Sequence, residues 1–107
     1  MKLFWFSEAV ADLDEIYDFL VFKNPRAAAT LYNSILDEAK ILCSQPFVAQ
    51  KEPLLHDLPD EYRSLIVAKG KYKLVYYVED ESVFIVQVFA CLQNPDKLKS
   101  TTLKRKT

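Results

Sequence analysis

The stretch YRSLIVAKGKYKLVYYVEDESVFIVQVFACLQNPDKL, Tyr62 to Leu98, decides the fold. Its density of Val, Ile, Tyr and Phe favours strand over helix. Two interruptions divide it: Gly70, the one glycine of the chain, and the pair Asp80-Glu81. The spacing predicts three antiparallel strands over 62–69, 71–79 and 82–91, joined by tight turns. Strand alternation puts Lys71, Lys73, Val75, Tyr77 and Glu79 on one face of the middle strand and Tyr72, Leu74, Tyr76 and Val78 on the other. By polarity the second set faces the core and the first faces outward, with Arg63 of the neighbouring strand beside it. The last strand is apolar on both faces, Val83, Ile85 and Phe89 against Phe84, Val86 and Val88, as in a strand interior to a sheet.

Upstream, residues 2–6 are short, aromatic and apolar and read as a further strand. Ser7 reads as an N-cap, and Ala9, Leu13, Ile16 and Leu20 then recur at helical spacing, with Asp12, Asp14, Glu15 and Asp18 on the solvated side. Asn24-Pro25 ends that helix and starts another, since Asn caps and Pro suits the first helical position. Ala28, Leu31, Ile35, Ala39 and Leu42 form its apolar stripe, which runs to about Gln45-Pro46. So short a link makes the helices an antiparallel hairpin. Residues 46–61 hold three of the five prolines and read as a loop packing Phe47, Leu54, Leu55 and Leu58 inward. The fold class expected is α+β, with one domain over 1–107. Residues 96–107 form a basic tail, either frayed or ordered on binding a target. A helical hairpin covers one face of a sheet, so the loop, the tail or another molecule must cover the second.

Size and charge narrow the function. A chain of 107 residues supports one modest core. No apolar run approaches the roughly 18–20 residues that span a bilayer, and the N-terminus lacks a signal-peptide pattern, so a cytoplasmic protein is expected. The formal net charge of −1 excludes a generally basic nucleic-acid binder, although bases concentrate at 63–73 and 97–106. Cys43, Cys91 and the single His56 do not make a metal site, and one glycine cannot make a phosphate loop, so no cofactor or metal is expected. His56 beside Asp57 is no catalytic pair by sequence adjacency alone. What remains is the basic and tyrosyl surface of the sheet. Lysines there can hold phosphates and stabilise transition-state charge, or can serve only to keep a surface strand soluble and unpaired.

The order strand, helical hairpin, three-strand meander resembles the RelE/ParE superfamily of toxins from bacterial type II toxin–antitoxin modules, the plasmid-stabilisation type. The resemblance is carried by SEAVADLDEIYDFL, KNPRAAATLYNSI, YRSLIVAKGKYKLVYYVED and VFACLQNPDKL, together nearly the whole chain. It implies a growth inhibitor neutralised by a cognate antitoxin that wraps the helices and sheet. Two targets are open. RelE-like members cut messenger RNA on the ribosome with basic sheet residues, and Lys73 and Arg63 match the positions of two of them. ParE-like members bind and inhibit DNA gyrase, and the Asn-Pro-x-Ala-Ala turn is closer to that branch. For the nuclease pattern an arginine is missing where Leu92 stands, and no tyrosine lies near the C-terminus. These departures favour the gyrase branch and also keep open a degenerate, non-toxic member. The residues expected to meet a partner or target are Lys69, Lys71, Tyr77, Asn94 and Lys97.

Overall fold

The meander forms as the sequence predicts, and its turns explain themselves. The computed structural model describes residues 1–106; of the tail expected over 96–107, Thr107 lies outside the described residues. Strands β3 (Arg63–Val67), β4 (Tyr72–Glu79) and β5 (Ser82–Ala90) pair antiparallel in sequence order. Glu79 faces Ser82 across the two-residue turn Asp80-Glu81, whose φ values of 51° and 58° fit the hairpin turn that matches strand twist. The β3–β4 turn is stranger. Ala68, Lys69 and Gly70 all have positive φ (53°, 55° and 88°), so two residues with side chains share a conformation that favours glycine. Glu38 holds the turn from outside, its Oε2 accepting the Ala68 N–H at 3.1 Å.

Two further strands extend this sheet to five, in the order β1-β5-β4-β3-β2. Strand β1 (Lys2–Trp5) runs parallel to β5, and β2 (Gln50–Lys51) is antiparallel to β3. The loop expected at 46–61 therefore contains a short edge strand. It buries Ala49 and Leu55 and half-buries Leu58, but leaves Phe47 and Leu54 exposed.

Helix α1 (Ser7–Val21) and helix α2 (Pro25–Ala39) form the antiparallel hairpin; α3 (Ile41–Ser44) adds one further turn. Asn24 caps α2, its Oδ1 accepting the Ala27 N–H at 3.0 Å. Ser7 does not cap α1. It is the first helical residue, and its hydroxyl donates to Glu8. Ala9, Leu13, Ile35, Ala39 and Leu42 meet Val67, Leu74, Tyr76, Val83 and Ile85 of the sheet in the larger core.

The sheet face away from the hairpin is covered by the chain itself. The tail is a helix, α4 (Asp96–Lys106), and with the loop at 53–62 it lies over Val75, Tyr77, Val86 and Phe89. Leu98 and Thr102 are its buried contacts. Val75 and Tyr77, expected to face outward, are thus core residues. The faces of β5 also change along its length. Tyr76 pairs with Ile85 but Val75 pairs with Gln87, so Val86 is an extra residue, a β-bulge. Past it the alternation inverts: Val88 joins Val83 and Ile85 under the hairpin, and Phe89 turns to α4, the reverse of the sequence expectation.

Polar groups fix α4 where apolar contact is thin. Gln87 Nε2 donates to the Leu98 carbonyl (3.0 Å) and to Thr102 Oγ1 (2.7 Å). Arg105 forks onto Asp12 of α1 at 2.6 and 2.8 Å and also donates to the Val86 carbonyl at 3.0 Å. Asp12, expected on a solvated face, is half-buried and also accepts the Val88 N–H at 3.0 Å. Lys99 pairs with Asp57, and Lys106 lies 3.8 Å from Asp60. Among the described residues no helix is long and apolar enough to cross a membrane.

Candidate functional site

Lys73 and Arg63 lie on opposite faces of the sheet. Lys73 pairs across β5 with Phe89 and shares its side, the face under α4; its Nζ sits 5.5 Å from the Phe89 ring centre. It forms an ion pair with Glu52, which is 3% exposed. Glu52 also accepts the Ser64 hydroxyl at 2.7 Å and the Leu54 N–H at 3.0 Å. Burial pushes the Glu52 carboxyl up, but the hydrogen bonds from Lys73, Leu54 and Ser64 outweigh it and hold its pKa below the usual glutamate value.

Arg63 pairs with Tyr76 and shares the hairpin side. Its Nη1 donates to the Ala49 carbonyl at 2.7 Å, its guanidinium packs 5.2 Å from the Phe47 ring centre, and Nη2 is 3.4 Å from Glu61. Arg63 Nε is buried without a hydrogen-bond partner among the described residues. Tyr76 anchors the same loop by donating to the Pro46 carbonyl at 2.7 Å. The two cations thus fasten one loop, residues 46–62, from two sides of the sheet.

The residues expected to meet a partner divide in the same way. Tyr77 is buried, stacked on Phe84 (5.2 Å between ring centres), edge-on to Tyr62 at 5.8 Å, with Lys106 Nζ 4.5 Å above its ring. Tyr62, beneath it, is pushed by burial, with Asp60 adding, to a pKa of about 12. Asn94 is exposed but structural: its Oδ1 accepts the Asp96 N–H at 3.0 Å and opens α4. Lys69, Lys71 and Lys97 are exposed and have no ion-pair partner among the described residues. Arg26, absent from the sequence expectation, joins Lys69 and Lys71 around a cavity of about 470 Å³ between the α2 N-terminus and the β3–β4 turn. Lys71 also borders a larger cleft of about 620 Å³ between α1 and α4, with Lys97 at its rim.

That cleft is the feature sequence reasoning missed. Ile16, Phe19 and Leu20 form its α1 wall, and Val88, Phe89 and Ala90 its floor. Phe19 is also exposed to solvent, and the same helix end carries Phe22, 91% exposed. Leu92, in the turn between β5 and α4, is fully exposed. The missed signal was a pair of phenylalanines outside the apolar stripe of α1, which helical spacing marks as solvent-facing.

The family model described as the ParE toxin of type II toxin–antitoxin systems, parDE, matches residues 3–95, so the match ends where α4 begins. Among solved structures, one chain of the chromosomal ParDE toxin–antitoxin system from P. aeruginosa is similar. It has a TM-score of 0.70 and 24% identity over 84% of this chain and 95% of that one, a likeness that establishes the fold. No curated protein sequence is matched. Since the matched span takes in β1, the helical hairpin and the whole meander, the chain belongs to the ParE toxin family and is the toxin component of a type II toxin–antitoxin system.

Proposed function

We propose that this toxin arrests growth by binding DNA gyrase in the cytoplasm, without cleaving RNA, and that a cognate antitoxin neutralises it. The observation that carries this reading is the separation of Lys73 from Arg63. A nuclease without histidines needs several cations converging on one phosphate. Here the two candidates occupy opposite sheet faces, and Lys73 is matched by a buried carboxylate. A cation already neutralised in the ground state adds little to a charged transition state. Binding needs only surface, and Arg26, Lys69, Lys71 and Lys97 supply exposed cations beside the apolar cleft.

The test is ATP-dependent supercoiling of relaxed plasmid by gyrase, with purified toxin added in increasing amount. Loss of supercoiling, relieved by the antitoxin, is the expected result. Normal supercoiling at a large molar excess of toxin, with messenger RNA cut on translating ribosomes, overturns the reading in favour of the nuclease.

A further inference from the structure

The turn between β3 and β4 is strained where it need not be. Ala68 and Lys69 sit at φ 53° and 55°, left-handed backbone that glycine adopts freely and other residues rarely. The one glycine of the chain stands third, at Gly70. Glycine or asparagine at position 69 would reverse the chain with less strain. A lysine held in that conformation implies that its side chain is used. Glu38 on α2 grips the turn: its Oε2 accepts the Ala68 N–H at 3.1 Å and the Ser34 hydroxyl at 3.0 Å.

Lys69 is one of three exposed cations, with Arg26 and Lys71, around the cavity of about 470 Å³ between this turn and the start of α2. None of the three has an ion-pair partner among the described residues. No acid is among the residues that line the cavity, and Asn24, Thr30 and Ser34 add neutral polar groups to its wall. Asn24 already caps the first turn of α2, so the positive character of this corner rests on side chains. Such a corner suits an anion with several charges, because a single small anion among exposed cations is screened by salt and solvent.

The lining also separates the kinds of polyanion. It holds no aromatic ring. Single-stranded nucleic acid draws much of its affinity from bases stacked on aromatic side chains, and this corner offers none. A duplex keeps its bases stacked on one another and presents its phosphates outward as a fixed series of charges. Nor does the lining include a histidine or a carboxylate to move a proton, so the contact holds a backbone without cutting it. We infer that this corner is a docking point for duplex DNA, at which Arg26, Lys69 and Lys71 hold backbone phosphates and the strained turn sets Lys69 in place. The site stands on its own; that the duplex is the one on which gyrase acts rests on the function proposed above.

The probe is a short fluorescent DNA duplex titrated with the full-length toxin and followed by anisotropy, at salt from about 50 mM upward. Three phosphate contacts, at roughly 0.9 each, predict a slope of about −2.7 in the logarithm of the association constant against that of salt. Lys69→Gly relieves the turn and removes one contact. It should melt no lower than the wild type, bind about tenfold more weakly at the lowest salt, and show a slope shallower by about 0.9. Arg26→Gln should weaken binding in the same way. Lys40→Gln, at an exposed lysine beyond the other end of α2, should leave it unchanged. The inference is overturned by no measurable binding, by a Lys69→Gly protein that melts lower or keeps wild-type affinity, or by an equal loss in Lys40→Gln. It is also overturned if single-stranded RNA, ATP or poly-glutamate binds more tightly than the duplex. Duplex binding alongside normal gyrase supercoiling would reject only the gyrase reading. Inhibited supercoiling by a toxin that leaves the duplex unbound would reject only the site.

Discussion

Glu52 is a buried acceptor for three separate donors, so its replacement leaves several groups stranded at once. Glu52→Ala leaves Lys73, half-buried above Phe89, without its counter-charge and strips the Ser64 hydroxyl and Leu54 N–H of their acceptor. Breaking such a pair from one side costs about 3–5 kcal/mol, read as a lower urea midpoint. Replacing both partners, Glu52→Leu with Lys73→Met, should recover the part of that loss due to the uncompensated charge, while the Ser64 hydroxyl and Leu54 N–H stay without their acceptor. The pH dependence has a definite sign. The folded pKa of Glu52 lies below its unfolded value, so the unfolded chain binds the proton more readily. This contribution is complete above the unfolded value of about 4.3 and disappears as pH falls through the lower folded value. Urea midpoints from pH 7 to pH 3 should therefore drop more steeply in the wild type than in Glu52→Gln. Lys73 looked like a free surface cation because alternation along a strand reports its face, not what a distant loop brings to that face.

At the scale of elements, the turns and α4 carry the sharpest expectations. Glu81 sits at φ 58° in the β4–β5 turn, where glycine meets no steric cost. Glu81→Gly should raise stability by about 0.5–1 kcal/mol, seen as a higher melting temperature. Helix α4 hangs on Arg105. Removing its side chain frees Asp12 and the Val86 carbonyl together. Arg105→Ala should speed amide exchange through α4 far more than through α2, and unchanged α4 exchange would show that Leu98 and Gln87 suffice. The strands, the hairpin and the Asn24-Pro25 cap were legible because periodicity and capping are local. The α4 helix is also written locally. Asn94-Pro95 repeats the Asn24-Pro25 signal, Asp96 stands in the first turn, and Lys104, Arg105 and Lys106 stand in the last, as the helix dipole favours. Its weak apolar stripe hid it, since only Leu98 and Thr102 are buried. The bulge at Val86 was not legible: an extra residue in one strand is defined only against the partner it fails to match.

Across the whole molecule, the charge asymmetry seen in the sequence resolves into two populations. Lys73, Lys99, Arg105 and Lys106 are each paired with an acid of another element, the first and third of them in largely buried pairs. Arg26 and Lys69 are exposed around the smaller cavity, Lys97 at the α1–α4 cleft, and Lys71 borders both. A domain that pairs the cations of β4 and of most of α4, and displays those at the start of α2, around the β3–β4 turn and at the start of α4, is arranged to bind a partner. The measurement that tests this most directly is induced expression in a bacterial host without antitoxin, with transcript ends mapped by primer extension during the arrest. Growth arrest with intact transcripts and a DNA-damage response is the predicted result. New ends inside reading frames, lost in the Lys73→Met and Glu52→Leu double replacement, would contradict it and place catalysis on the sheet.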